Sequence, residues 1–474
     1  MSRRARARRR AVAPGGDFAH QRKVERIRQQ LARHDRSIPV SLRKSSPPHQ
    51  VPKSGDLRRT DAKIDIGDLT SILDIDVDRR ICVAEAGVRF VDLVHATLPY
   101  GLVPAVVPEL STITVGGAVS GCSIESMSFV YGGFHDTCLE YEIITARGEV
   151  LTCTPNNRHA LVFQMIHGSF GTLGILSKLT FKLVPAKQFV HVVYEKHTTF
   201  TSYRTSIEQH TATHDIDFMD GIIHAPDCYV LSVGRFVDEA PYTNKYDWMK
   251  IYYQSTKQRD EDYLHTPDYF FRYDRGVTNV HPGSFLGRLF LGKFISSDQT
   301  LWAAERLHWL LQREKPDVIL DVFVPISRAK EFLTWYRNEI GFYPLWCVPY
   351  RRVHDYPWLN KTFYAGMRDQ MFLDLAIYGL KQTDERNVHK MVEDKLREIG
   401  GVKTLISHNY YTPEEFWLTW NKPNYDTVKA ITDPDNIFRD LYNKTCRIAM
   451  GIQPEERRHH GAGSAAVAHN EPER

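Results

Sequence analysis

Two glycine-dense segments separated by strand-like sequence constrain this chain more than any other feature: ITVGGAVSGCSIESMSFVYGG, residues 113–133, and HGSFGTLGILSKLTFKLVP, residues 167–185. Glycine alone lacks a Cβ and readily adopts φ > 0, so paired turns of this kind suit a backbone passing close to an extended phosphate-bearing molecule. A dinucleotide site is the expectation. The spacing is not that of the nicotinamide fingerprint, because Gly116, Gly117 and Gly121 form GGxxxG while Gly168, Gly171 and Gly174 form GxxGxxG. Either segment alone would also serve as a hairpin turn of an ordinary sheet; both in order favour the ligand.

The 474 residues, 42% of them hydrophobic, can bury a large core, and at roughly 100–200 residues per domain they divide into two or three domains. Net charge is only +4, yet MSRRARARRR places six arginines before residue 11. Such an arm reads as a solvated, disordered tail. It also suits attachment to an anionic membrane surface, where each base adds on the order of 1 kcal/mol. Nucleic acid is not expected as a partner, because no basic-plus-aromatic pattern recurs in the body of the chain. Seven cysteines, an odd number without a CxxC pair, outline neither a disulfide framework nor a zinc site, so no metal is expected and a reducing cytosol fits. No run reaches the ~18 apolar residues that span a bilayer, so the expected location is cytoplasmic, with peripheral membrane attachment as the variant.

Periodicity organises the rest. Val24, Ile27 and Leu31 sit at helical spacing. IPVSLRK reads as an edge strand, residues 90–98 as a helix, and EYEIITARGEVL as a hairpin turning at Arg147 and Gly148. Strands mixed with aromatic-rich sequence in the middle imply a second α+β domain. MFLDLAIYGL, residues 371–380, reads as a buried strand, and a helix over about 387–399 follows. Thr412, Pro413 and Glu415 stand in the order of a capping box with proline at its first position. The expected division is a basic arm over 1–20, a ligand-binding domain over 21–189, a cap over 190–410, a returning segment over 411–452 and a disordered tail over 453–474.

The paired segments resemble those of the vanillyl-alcohol oxidase and p-cresol methylhydroxylase flavoproteins, and KAITDPDNIF, residues 429–438, is similar to the closing motif of that superfamily. GCSIESMSFVYGGF, VFVPISRAKEFLTWYRNEIGFYPLWCVPYR and HNYYTPEEFW narrow the resemblance to the Δ24-sterol reductase family and its bacterial relatives, some of which reduce methylene-branched fatty acyl chains. The resemblance implies an α+β architecture, with a PCMH-type FAD-binding domain of two α+β subdomains and an α+β substrate cap. It places the flavin nucleotide along Thr114, Gly116, Gly117, Gly121, Ser123, Ser126, Tyr131 and Gly132, and along Gly171, Thr172, Leu173, Gly174 and Ile175. The loop over 45–55 lacks the glycine pair and histidine that covalent flavin attachment uses, and His49 between Pro48 and Gln50 is a poor substitute, so noncovalent FAD is expected. NADPH as the electron source follows from the resemblance alone. The eukaryotic sterol enzymes carry an N-terminal membrane anchor where this chain has its arginine arm.

What the family implies is reduction of an isolated C=C bond in a lipid, either a sterol side chain or a methylene-branched acyl chain. Such an alkene cannot delocalise the charge left by hydride addition, so protonation comes first, and hydride from flavin N5 then meets a tertiary carbocation. The site needs an acid, low-dielectric walls and aromatic faces that attract developing positive charge. Asp374, in an apolar strand, would be an acid whose pKa burial raises, or else a carboxylate paired to an arginine. Tyr378, four residues on, shares its face, as acid or as core. His408, Tyr410 and Tyr411 occupy a loop, where function is favoured, and Trp346, Tyr350 and Arg351 are candidates for the lipid tunnel. Residues 281–294 read as an apolar access helix with basic flanks or a buried cap helix. An oxygen-using oxidase and a non-catalytic lipid binder are the alternatives; oligomeric state is left open.

Overall fold

The computed structural model describes residues 16–47, 55–246, 251–274, 318–381 and 385–453. The arginine arm, His49, the 281–294 stretch and the tail from 454 lie outside the described residues. The fold is α+β, built on two large sheets.

Helix α1 (Gly16–Arg33) buries His20, Val24, Ile27 and Leu31, a single face at helical spacing. Strand β1 (Val40–Arg43) pairs in parallel with β2 (Ala62–Asp65), apart from the large sheets. The first large sheet comprises β3 (Ile72–Asp76), β4 (Ile81–Glu85), β5 (Leu102–Pro104), β6 (Cys138–Ile144), β7 (Val150–Cys153) and β8 (Ile175–Pro185). Its order is β3-β4-β8-β6-β7, with β5 added to the far end of β8. Helix α2 (Phe90–Thr97) follows β4, and α3 (Val115–Gly121) follows β5. The hairpin expected at Gly148 joins β6 to β7, with Gly148 at φ 80°.

One buried polar group fastens α1 to this sheet. His20 lies 2.9 Å from Glu85 and 2.8 Å from Glu142. Burial pulls the imidazole pKa down, but the two carboxylates more than offset that and hold it above its usual 6.5. Glu142 is itself held down at about 2, where burial is outweighed by His20, Ser177 and Lys178. The imidazole contribution is complete below its ordinary pKa of 6.5 and fades as pH rises through its raised value, whereas the Glu142 contribution is complete above 4.5 and fades toward about 2. His20→Ala is therefore expected to cost about 3 kcal/mol in denaturant unfolding at pH 5.5, and less at pH 9. Equal losses at both values would contradict a charged His20.

The chain leaves β8 at Pro185 and enters the second sheet at Phe189. That sheet comprises β9 (Phe189–His197), β10 (Phe218–Ala225), β11 (Cys228–Val237), β12 (Glu261–His265), β13 (Val318–Pro325), β14 (Leu345–Arg351), β15 (Met371–Leu380) and β16 (Val402–Lys403). Its order is β12-β9-β11-β10-β14-β15-β13-β16, antiparallel throughout. Helix α4 (Val388–Ile399) buries Val388, Val392, Leu396 and Ile399 in the core of this sheet. Helices α5 (Pro413–Thr419) and α6 (Lys422–Thr432) then carry the chain back to the first sheet. The capping box forms as read: Thr412 accepts from the Glu415 backbone N–H while the Glu415 side chain accepts from that of Thr412.

The closing motif explains itself in the fold. Lys429 donates to the Thr172 carbonyl at 2.7 Å and to Asp433 at 2.6 Å, and Asp433 accepts from the backbone N–H groups of Ile437 and Phe438. It thus clasps the second glycine segment from behind.

A buried cation ties the two sheets together. Arg272 is fully buried, 3.0 Å from Asp220 of β10 and 3.2 Å from Glu125 of the first glycine segment, with its guanidinium 4.0 Å from the Tyr269 ring centroid. Beside it the Met219 N–H donates to the Ser126 carbonyl at 2.7 Å. Among the described residues, no helix is long and apolar enough to cross a membrane.

Candidate active site

The first glycine segment is a helix start as much as a turn. Thr114 caps α3, its hydroxyl accepting from the Gly117 N–H at 3.2 Å. Gly116 permits a close approach, since a Cβ there would stand 2.7 Å from the Ala86 Cβ just beyond β4. Gly121 has nothing within 4 Å of where its Cβ would point. Ser123 accepts from Phe134 N–H, Ser126 sits at the interface with the second sheet, and Tyr131 is half-buried beside it. Gly132, at φ 74°, leaves room for a carboxylate: a Cβ would fall 2.3 Å from an oxygen of Asp136.

The second segment is hydrogen-bonded to the first, with Gly168 N–H donating to the Val119 carbonyl and Phe170 N–H to the Ser120 carbonyl. Gly171 faces Leu42 and Lys444, Thr172 and Leu173 are buried, and Ile175 opens β8. Gly174 answers a packing need, because its Cβ would lie 2.8 Å from Ile143. Lys444 stands beside this turn, its pKa drawn down to about 7 by burial and then by Arg58 and Lys429, against the opposing pull of Asp61.

Both segments open on one cleft at the surface between the two sheets. Gly121, Cys122, Gly168 and Phe170 form one side; Phe323, Tyr350, Phe372 and Val402 of the second sheet form the other; Tyr356, Trp358 and Trp420 close it. Cross-strand pairing explains the second wall. Tyr350 pairs with Phe372 and Phe323 with Val402, so all four project from one face. The wall is therefore largely apolar and aromatic.

Asp374 lies one row further in. It pairs with Phe323, two residues along the strand from Phe372 on that same face, and is 2% exposed. Its Oδ1 has no hydrogen-bond partner among the described residues. Where the sequence allowed an arginine partner, the neighbours are acids: burial first, then repulsion from Asp321 and Glu109, push its pKa well above the usual carboxylate range. Tyr378 joins this group by donating to Asp321. Burial likewise lifts Glu109, to about 8. His408 and Tyr410 stand elsewhere, around Lys403 and Glu393: Lys403 donates to the His408 carbonyl at 2.6 Å, and Tyr410 N–H donates to Glu393 at 3.1 Å. None of Asp374, Tyr378, His408 and Tyr410 is among the residues lining the cleft, although Lys403 is. Trp346 donates to Asp220, and Arg352, not Arg351, reaches the cleft.

The sequence reading missed Glu109, Asp321, Asp136, Tyr356 and Lys444. Asp321 had a visible signal, a lone carboxyl within VILDVFVP like that of Asp374. Nothing local marks the others.

The FAD binding domain family matches residues 34–154, and this match together with the relatives that follow makes the chain an FAD-dependent oxidoreductase similar to those of the PCMH-type superfamily. The chain is Δ24-sterol reductase-like: it is 25% identical over 466 residues to the Delta(24)-sterol reductase homolog dhcr-24 of Caenorhabditis elegans, covering 90% of this chain and 88% of that one. It is 26% identical over 418 residues to the Delta(24)-sterol reductase of Homo sapiens, covering 83% and 80%. Similarity to cytokinin dehydrogenase 10 of Oryza sativa, 29% over 153 residues, covers 31% of this chain and 28% of that one.

Proposed function

We propose that the protein reduces an isolated C=C bond of a lipid, a sterol side chain or methylene-branched acyl chain, with electrons from NADPH passing through noncovalently bound FAD. The observation that supports this reading is the single apolar cleft shared by both glycine segments and the aromatic face of the second sheet. Thr114, Gly116, Gly117, Gly121 and the turn at Gly171, with Lys444 beside it, would hold the nucleotide. When bound and reduced, the flavin supplies hydride.

The chain supplies the rest. Apolar walls exclude water, and the faces of Phe323, Phe372 and Trp358 favour positive charge at the reacting carbon. Asp374, in the neutral form its surroundings impose, donates the proton that makes the tertiary carbocation, with Tyr378 holding Asp321 beside it. One proton from the chain and one hydride would add across the double bond, NADPH being the source from which FAD would be reduced again.

Purified protein is expected to show flavin absorbance that NADPH, but not alcohols, bleaches without oxygen. It should then convert a Δ24-sterol or methylene-acyl lipid to a product heavier by two hydrogens. Protein that takes up no FAD, or bleaches only with alcohols, would overturn the proposal, the second result favouring an oxidase. Bound lipid recovered unchanged after repeated NADPH addition would identify a binding protein instead.

A further inference from the structure

We infer that His354, Asp136, Tyr356 and Tyr350 form a proton path from solvent to the cleft, which restores the proton consumed there at each turnover; the inference rests on the reduction proposed above.

The path is continuous in the structure. Tyr350 and Tyr356 both line the cleft, and their hydroxyls are hydrogen-bonded to each other. Both also lie within reach of Asp136 Oδ2, at 3.4 Å from Tyr350 and 3.0 Å from Tyr356, and the Gly133 N–H fixes that oxygen at 2.8 Å. The other oxygen, Oδ1, lies 3.3 Å from His354 Nε2. The His354 side chain is 38% exposed while that of Asp136 is fully buried, so the chain of groups begins in water and ends at the cleft wall. The glycine at 132 is part of this construction, since any side chain there would displace the carboxylate.

The electrostatics suit transfer. Burial lifts Asp136 to about 6, and burial draws His354 below its usual 6.5, so burial acts on both partners against the charged forms. The other groups facing Asp136 carry no fixed charge near neutral pH. His135, with Nε2 3.4 Å from Oδ1, is held neutral by burial at a pKa of about 3, and burial raises the thiols of Cys122 and Cys138 and the phenol of Tyr141. His354 is thus the one ionisable cation donor against this carboxylate among the described residues. Each phenol gives up its proton as it receives another, and so never has to ionise.

Tyr350 hands the proton on. It pairs with Phe372, which makes it the diagonal neighbour of Asp374 on one sheet face, and the path assigns the remaining step between them to a water in the cleft. After Asp374 has protonated the alkene, its carboxylate takes a proton from that water, the water from Tyr350, Tyr350 from Tyr356, Tyr356 from Asp136, and Asp136 from His354, which recovers one from bulk water. One proton enters and no electrons move along the path.

Asp136→Asn keeps the shape but cannot carry the proton. With pre-reduced flavin it is expected to complete a first turnover and then stall, with a steady-state rate lower on the order of 100-fold. His354→Ala, at an exposed position that does not threaten folding, should show a similar loss that added imidazole restores. A readout independent of flavin is the infrared C=O absorption of protonated carboxyls titrating near pH 6, to which Asp136 and Asp321 both contribute; it is expected to lose the Asp136 share in Asp136→Asn. Product formation with unchanged steady-state rates in both variants, or an absorption of undiminished intensity in Asp136→Asn, would overturn the path alone. No saturated product from the wild type would overturn the reduction and the path together.

Discussion

Asparagine in place of Asp374 is expected to slow the single-turnover reduction of the lipid double bond on the order of 100- to 10,000-fold, the range attributed to a positioned proton donor. The substitution preserves volume and removes only the transferable proton. Because burial and the neighbouring acids raise this pKa well above the usual carboxylate range, the protonated form persists to higher pH than in an ordinary carboxyl and is lost as pH rises through the raised value. The wild-type rate should therefore fall on the alkaline side, and the variant should lose that limb. The same shift has a cost in stability. A carboxyl whose pKa is raised by folding destabilises the native state at every pH above its ordinary value, so Asp374→Asn should unfold at higher denaturant concentration than the wild type at pH 7. A variant both slower and more stable fits an acid held in an unfavourable place. Retention of the wild-type rate within about twofold would remove Asp374 from the chemistry.

Arg272→Ala is expected to have the largest effect on folding, about 3–5 kcal/mol, the usual result of breaking a buried ion pair by removing one partner. Two carboxylates, Glu125 and Asp220, lose their shared counter-ion in a place where each is at most 1% exposed. The three tyrosine rings that surround the guanidinium, at 4.0, 4.7 and 5.2 Å from their centroids, lose a cation. Since Glu125 belongs to the first glycine segment and Asp220 to β10, the loss should loosen the contact between the sheets and weaken FAD retention along with stability. Adding Glu125→Gln and Asp220→Asn to Arg272→Ala removes the stranded charges and should recover part of the loss. Denaturant unfolding with a cost below about 1 kcal/mol for the single variant would show that water reaches the carboxylates and that the pair is not a lock.

Features that depend on near neighbours were legible in the sequence. The strand over 371–380 showed its period of two, and with it the shared face of Asp374 and Tyr378. The capping box at Thr412 showed its spacing, and Gly148 its turn. The segment 113–121 was only half legible: its glycines spoke for close approach, which Gly116 makes against Ala86, but a seven-residue helix with so many glycines has little local signal. The expected edge strand forms, in a two-stranded sheet with β2, but its partner was not legible because strand pairing depends on partners that propensity does not name.

The site divides the same way. Residue types and spacing determined that the backbone runs close at the glycine segments and that a carboxyl is buried in an apolar strand; both are properties of a few consecutive residues. Only the tertiary structure decided what that carboxyl faces. It set Asp321 and Glu109 beside Asp374 in place of an arginine, took His408 and Tyr410 away to Glu393, and brought Tyr350 and Tyr356 to Asp136 across 214 and 220 positions of sequence. A buried charge answers to whichever groups share its low-dielectric surroundings, and chain folding, not order along the chain, chooses them.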